Sequence, residues 1–146
     1  MSGVESREYK ELFLIEANEH LQSINNELLV YEKDNAREHV DSMFRSVHTL
    51  KGMAATMGYE NIKILCKSIE NVLDAIRDGK VLFSKIIADT LFVCFDILHK
   101  LVNDENASID VSSYIKNLED LLLLNSNISL GDNNSNNVSI NNDIIS

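Results

Sequence analysis

The chain has 146 residues, enough for one domain with a buried core, and it carries a formal net charge of -10. The acidic excess is spread along the sequence without a basic stripe, which argues against a nucleic-acid-binding protein. There is no proline and there are only 5 glycines, so the composition favours long helices over a fold built from hairpins.

The predicted helices are marked by apolar residues that recur at spacings of three and four. In chain order they cover 8–33, 37–57, 60–78, 84–103 and 110–124. We expect Asp34-Asn35 to break the chain after the first helix, and Gly58 and Gly79 to end the second and third. Ser84 is predicted to cap the fourth helix.

The connections between these helices are only a few residues long, so consecutive helices should be antiparallel neighbours. The sequence therefore predicts an all-α fold: an up-down-up-down four-helix bundle with an added fifth C-terminal helix, forming a domain over 1–124. Residues 125–146 are rich in Asn, Ser and Asp. Such a composition cannot bury enough apolar area to offset its ordering entropy, so we expect a disordered tail or linker there.

The N-terminus is polar and charged, unlike a signal peptide, and apolar runs such as 121–124 fall far short of the ~20 residues that span a bilayer. We therefore expect a cytoplasmic protein without membrane insertion. Cys66 and Cys94 both fall among apolar neighbours, which favours buried free thiols in a reducing compartment over a disulfide or a redox site.

His48 is the strongest candidate functional residue. It falls on the polar side of the second helix, Lys51 follows one turn later, and Gly52 comes next. A glycine inside a helix costs roughly 1 kcal/mol relative to alanine, and such local inconsistencies often mark functional positions. Arg45 adds a positive charge on the preceding turn.

The third helix carries a polar stripe that includes Lys67 and Glu70. If it folds back against the second helix at Gly58, Glu70 should reach the ring of His48. A carboxylate that accepts the Nδ1 proton fixes the tautomer and leaves Nε2 as a nucleophile. Lys51 would then stabilise charge on an incoming phosphoryl group, and Gly52 would leave room for another protein's active site.

Each of these residues, taken alone, also has a structural explanation. A single histidine, lysine or glutamate is more often a solvated surface residue, and a glycine such as Gly52 can simply relieve a tight helix crossing. The remaining histidines, His20, His39 and His99, have no comparable neighbours and are interpreted as structural.

The run from His48 to Gly58 resembles the signature of the histidine phosphotransfer (HPt) family, a His followed by Lys-Gly and by a second Gly six residues on. The similarity is closest to the N-terminal phosphotransfer domain of CheA-type chemotaxis histidine kinases. It extends over 9–124, with further support from Phe44-Arg45, Leu65-Cys66 and 69–71.

This resemblance implies a phosphoryl-carrier domain of a two-component chemotaxis system. His48 would accept phosphate on Nε2 from ATP through a separate histidine kinase ATP-binding domain, and pass it to an aspartate of a response-regulator receiver. It further implies that Glu70 hydrogen-bonds the ring and that Lys51 lies near the phosphate. Many chemotaxis members carry a second histidine at the position of Lys67; a charged lysine cannot accept a hydrogen bond there, but it adds positive charge.

The chain shows no glycine-rich nucleotide loop, so we expect it not to be an enzyme on its own and to hold no cofactor or metal. ATP and magnesium would belong to the kinase or the receiver. Two alternatives remain open. One is a non-catalytic helical adaptor that binds partners through the same face. The other is a di-iron or haem bundle, for which the chain offers only the pair Asp96 and His99.

Overall fold

The structure is a computed structural model that describes the backbone over residues 3–134 and side chains over residues 6–123. This part of the chain contains five helices and no strand, which confirms the predicted all-α class. No helix in the described part is both long and apolar enough to cross a membrane. The helices are α1 (Gly3–Asp34), α2 (Arg37–Met57), α3 (Glu60–Arg77), α4 (Lys85–Asn103) and α5 (Ser112–Asn134).

Four of the helices close into a bundle in which α1 packs against α2 and α4, and α3 packs against the same two helices. Phe13 near the start of α1 contacts Tyr59 in the α2–α3 turn, with ring centroids 5.1 Å apart. Asn18 of α1 shares hydrogen bonds of 2.9 Å with Asn103 at the end of α4. The N-terminal half of α1 therefore lies beside the ends of α2 and α4, as an up-down-up-down bundle requires.

The fifth helix packs against α3 and α4. Asn61 near the start of α3 donates a hydrogen bond of 3.4 Å to the carbonyl of Ile109, just before α5. The start of α5 therefore lies beside the start of α3. Because α5 packs along α3 from there, the two helices run in the same direction.

The core lies between the apolar stripes that the sequence predicts, except that Tyr9 of the α1 stripe is half exposed. Cys66 and Cys94 are buried free thiols, as expected from their apolar neighbours. Burial raises the pKa of both thiols, that of Cys94 to about 12, so neither is a thiolate near neutral pH. The largest fully buried side chains are Phe95, Leu21, Ile24, Leu28, Met43, Leu50, Leu65, Ile69, Leu73, Ile87, Leu91 and Leu98.

The predicted breaks between helices are present. Gly58 and Gly79 both adopt φ 75, a left-handed conformation that is costly for residues with a Cβ. After Gly58 the amide of Tyr59 donates to the carbonyl of Ala54 at 2.9 Å, which completes the C-terminal cap of α2 and turns the chain into α3. Ser84 caps α4 by accepting a hydrogen bond from the amide of Ile87.

The fifth helix ends at Asn134 rather than at Leu124. The helix is therefore longer than the predicted bound and extends into the Asn-, Ser- and Asp-rich segment, while residues 135–146 lie outside the described residues. The disordered tail or linker stays a prediction. The helix can extend past its predicted end because the cost of starting it is already met in the packed part of α5. Extending it adds one hydrogen bond per residue, and no proline interrupts it. The division into two domains stays a prediction.

A histidine lies at the corner between α1 and α2. His39 Nδ1 is 2.6 Å from Glu27 Oε1, and its Nε2 is 3.1 Å from Asp34 Oδ2. Ser42 donates to the other oxygen of Glu27 at 2.9 Å. These contacts connect the end of α1 to the start of α2, which agrees with the structural interpretation of His39.

We expect this corner to make the stability of the bundle pH-dependent. Hydrogen bonding to Glu27, and then to Asp34, raises the pKa of His39 above its ordinary value. A raised pKa stabilises the fold fully below the unfolded pKa of about 6.5, and this contribution is lost as the pH rises through the higher folded pKa. Urea unfolding between pH 6 and pH 8.5 should show this loss of stability in the wild type. His39→Gln should abolish that part of the dependence, and an unchanged slope would exclude His39 as its source.

Candidate functional site

The candidate site lies on the α2–α3 hairpin, where the polar edges of the two helices meet. Val47 and Leu50 of α2 and Ile69 of α3 are buried, which fixes the rotation of each helix about its axis. His48 consequently falls just outside the core on α2, and Glu70 falls at the edge of α3 that faces it. The hairpin thus brings together two residues that are distant in sequence, as their distances from Gly58 predict.

A single carboxylate holds both of the predicted α2 side chains. Glu70 Oε2 lies 2.6 Å from His48 Nδ1, and Glu70 Oε1 accepts a hydrogen bond of 2.6 Å from Lys51 Nζ. The predicted contact between Glu70 and the ring of His48 is therefore present. The sequence pattern does not predict the ion pair between Lys51 and Glu70, since it assigns Lys51 to the incoming phosphoryl group alone.

The three side chains differ sharply in their exposure to solvent. The side chain of Glu70 is only 4% exposed, that of Lys51 is 24% exposed, and that of His48 is 63% exposed. A buried carboxylate needs partners for both oxygens, and Glu70 obtains them from the two α2 residues. Burial therefore fixes the carboxylate, while the histidine it holds remains open to solvent.

The geometry determines which nitrogen of His48 is available for chemistry. An ionised carboxylate only accepts hydrogen bonds, so a neutral ring beside Glu70 carries its proton on Nδ1. Nε2 then holds a lone pair, and no hydrogen bond to it is formed within residues 6–123. The arrangement can present Nε2 as a nucleophile to another molecule, while the proton stays on Nδ1.

Gly52 lies on an exposed surface of α2 next to these residues. A Cβ built on it would meet no atom within 4 Å, so the glycine does not relieve a tight helix crossing. Its carbonyl accepts a hydrogen bond of 3.1 Å from the hydroxyl of Thr56. The bundle itself therefore does not require a glycine at this position. That Gly52 leaves room for another protein stays a prediction.

Arg45 and Lys67 are both exposed beside the site. Neither forms a hydrogen bond or an ion pair with any residue whose side chain the structure describes. Unlike Lys51, neither therefore has an ion-pair partner in the part of the chain whose side chains are described. Both can contribute positive potential around His48 without being part of its hydrogen-bond network.

Sequence reasoning missed an aromatic and a cationic neighbour of the site. The ring of Phe44 lies parallel to that of His48, with centroids 6.2 Å apart and planes 8° apart. The guanidinium of Arg77, from the end of α3, lies 4.4 Å from the centroid of Phe44. The spacing of Phe44 and His48, four apart on one helix, could have signalled the first contact. No local pattern pointed to Arg77.

The metal-binding alternative finds no support in the positions of its residues. Asp96 and His99 are both exposed on α4, and Asp96 forms an ion pair of 3.4 Å with Lys100. A di-iron or haem site would require side chains that project into the bundle. No group of three or more His, Cys, Asp or Glu side chains suited to a metal occurs in the described part of the chain.

The chain matches a family model described as the Hpt domain over residues 8–104. It is 39% identical over 117 residues to a chemotaxis protein CheA of Listeria monocytogenes. That match covers 77% of this chain but only 19% of the relative, so the chain spans about a fifth of that relative's length.

Two solved structures have a similar fold. The CheA phosphotransferase domain from Thermotoga maritima has a TM-score of 0.66 and 34% sequence identity, over 73% of this chain and 100% of that one. The phosphorylated P1 domain of CheA3 from R. sphaeroides, solved in complex with CheY6, has a TM-score of 0.74 over 82% of this chain and 98% of that one. At 21% identity, this second likeness bears on the fold alone.

Proposed function

Because the chain belongs to the Hpt (histidine phosphotransfer) domain family, we propose that it is a phosphoryl carrier of a chemotaxis two-component system, phosphorylated on His48. The observation that carries this proposal is the exposed ring of His48, whose Nδ1 is held by the buried carboxylate of Glu70 at 2.6 Å. A histidine that served only the fold would not need a buried carboxylate to orient an exposed ring.

The first transfer takes place in the active site of a partner kinase, which supplies ATP and magnesium. The lone pair of His48 Nε2 attacks the γ-phosphorus, the bond to the β,γ-bridging oxygen breaks, and ADP leaves. The Nδ1 proton stays on the ring, which therefore becomes positively charged as the N–P bond forms. Glu70 stabilises this charge through the existing hydrogen bond, so its contribution grows towards the transition state.

In the second transfer the phosphoryl group leaves the ring, which becomes neutral again. A carboxylate oxygen of the receiver aspartate attacks the phosphorus, the N–P bond breaks, and its electron pair returns to Nε2. The same Glu70 contact keeps the proton on Nδ1, so the carrier regains its starting tautomer without exchanging a proton with solvent. The chain needs no cofactor of its own in this scheme and, on its own, is a substrate and donor rather than an enzyme.

The neighbouring cations have separate assignments in this proposal. Lys51 shares Glu70 with His48 and stabilises charge on the phosphoryl group, while Arg45 and Lys67 supply positive potential at the approach to Nε2. The separate ATP-binding domain of a histidine kinase and the receiver domain of a response regulator are the proposed partners.

Reconstitution tests the proposed function directly. The chain would be incubated with a chemotaxis-type kinase catalytic domain and labelled ATP, then separated from ATP and mixed with a receiver domain. We expect acid-labile label on the chain, assigned to His48 by mass spectrometry under neutral conditions, and its loss from the chain as the receiver gains it. Binding of both partners without any label would instead support the adaptor alternative.

Gly52 should show opposite effects on stability and on transfer. Gly52→Ala should raise the free energy of unfolding by about 1 kcal/mol, because alanine favours the helix and its Cβ meets nothing within 4 Å. Gly52→Gln should retain most of this gain but slow transfer between docked proteins, since a long side chain beside His48 obstructs their approach. Urea unfolding and transfer rates measure the two effects.

Phosphoramidate, a small phosphoryl donor that needs no protein docking, provides the control for Gly52. Its reaction with His48 should change little in Gly52→Gln if the side chain obstructs a partner protein. An equal loss with phosphoramidate and with the kinase would contradict the role of Gly52 in partner access.

A further inference from the structure

The ring of His48 is exposed, yet it has two contacts that can fix its orientation. One is the hydrogen bond from Nδ1 to Glu70, and the other is the parallel ring of Phe44. A single hydrogen bond restricts where Nδ1 lies but leaves the ring free to tilt about that bond. The ring of Phe44, parallel to that of His48 with centroids 6.2 Å apart, restricts this tilt, so the two contacts together define the direction of the Nε2 lone pair.

Phe44 is itself held from the other helix. Arg77 lies over the ring of Phe44 and forms an ion pair with Asp74, one turn earlier on α3. Because α3 runs antiparallel to α2 and Glu70 lies opposite His48, Arg77 lies two turns beyond Glu70, on the side of Phe44 away from His48. The order along the hairpin is therefore His48, Phe44 and Arg77.

We propose that Phe44 and Arg77 are positioning residues that fix the plane of the His48 ring for phosphoryl transfer. The proposal rests on the proposed function of His48 and adds a second support to the one from Glu70. In-line attack requires the lone pair of the nucleophile to point at phosphorus along the axis of the breaking bond. Glu70 sets the tautomer, whereas Phe44 sets the angle at which Nε2 meets the docked donor.

Arg77 contributes through Phe44 and not through the phosphoryl group. Its guanidinium, with a side chain 27% exposed, is engaged by Asp74 and by the face of Phe44. A cation over an aromatic face is attracted by the ring quadrupole, so Arg77 favours the side-chain rotamer in which Phe44 lies parallel to His48. Loss of the cation should therefore have the same effect as loss of the ring, but a weaker one.

The primary test compares Phe44→Leu, which keeps an apolar side chain but removes the ring, with Phe44→Tyr, which restores it. Phe83→Leu is the matched control, because Phe83 is also half-buried and pairs with an aromatic ring, that of Tyr31 at 4.6 Å. With a kinase catalytic domain and ATP, Phe44→Leu should lower kcat for phosphorylation about three- to tenfold. KM should stay within about twofold, since docking is not altered.

Arg77→Met should lower kcat in the same direction but by a smaller factor. Its matched control is Lys63→Met, which removes another α3 cation from an ion pair with the residue three before it, Glu60, at 3.2 Å. Phosphoramidate supplies the readout that a general loss of structure would not produce. A small donor can approach the ring from many directions, so its rate with Phe44→Leu should stay within about twofold of the wild-type rate.

NMR relaxation of the ring carbons of His48 measures how mobile the ring is, without any partner protein. The ring should be ordered in the wild type and in Phe44→Tyr, and more mobile in Phe44→Leu. The proposal is overturned by an unchanged kcat in Phe44→Leu, by an equal fall in Phe83→Leu, or by a change in KM alone. A wild-type chain that takes no label would refute the proposed function instead, while the relaxation measurement would still decide whether Phe44 orders the ring.

Discussion

His48→Gln is expected to abolish phosphorylation of the chain while leaving the bundle folded. An amide nitrogen has no lone pair available for attack on phosphorus, so the loss should be complete. The replacement keeps an N–H that can donate to Glu70, which avoids leaving a buried carboxylate oxygen without a partner. Because the side chain of His48 is 63% exposed, the free energy of unfolding measured in urea should change by only about 0.5 kcal/mol.

His39→Gln is the matched control for this prediction. His39 also has a carboxylate 2.6 Å from its Nδ1, but its Nε2 lies 3.1 Å from Asp34 and its side chain is only 16% exposed. The variant should therefore accept label at the wild-type rate near pH 7. Acid-labile label that persists in His48→Gln would show that another residue accepts the phosphoryl group.

Comparison of the two histidines also shows what the sequence could predict. The sequence singles out His48 because Lys51 and Gly52 follow it, and because Glu70 lies at a similar distance beyond the turn at Gly58. His39 has no such neighbours in sequence, and its partners come from α1 and from the α1–α2 corner. Both contacts cross a two-residue turn between helices, so a short turn alone does not reveal a contact; the residue types around His48 do.

Two contacts of the site lie beyond what the apolar pattern of the helices predicts. The helix stripes depend on local spacing, and the sequence located them closely, including the bounds of α2. The contact of Arg77 with Phe44 depends on the register of two helices over several turns beyond the site, and a pattern within one helix carries no information about it. The shared use of Glu70 by His48 and Lys51 follows from the depth at which the carboxylate is buried, which periodicity does not specify.

Glu70→Ala should have the second-largest effect, on both transfer and stability. Without the carboxylate, the ring of His48 loses the acceptor that keeps its proton on Nδ1, and Lys51 loses its ion-pair partner. We expect the phosphorylation rate to fall about 10- to 100-fold, as is typical when the residue that orients a functional histidine is removed. The unfolding free energy should fall by about 1–3 kcal/mol, because the half-buried Lys51 ammonium remains without a partner.

Glu70→Gln separates the two contributions of the carboxylate. The amide keeps the volume of the side chain and one acceptor oxygen, so it can accept from His48 or from Lys51 but not from both. Stability should therefore recover partly. The rate should stay low, since a neutral amide offsets much less of the positive charge that develops on the ring. Nitrogen chemical shifts of the imidazole would report whether the proton remains on Nδ1.

Glu27→Ala provides the matched control, since Glu27 makes the same kind of contact to Nδ1 of His39 and accepts from Ser42. It should lower stability without slowing phosphorylation, because His39 takes no part in transfer. If Glu70→Ala and Glu27→Ala slowed phosphorylation equally, the loss would follow from a weakened bundle. A rate loss confined to Glu70→Ala would instead show that the buried carboxylate acts on the transition state through the ring it holds.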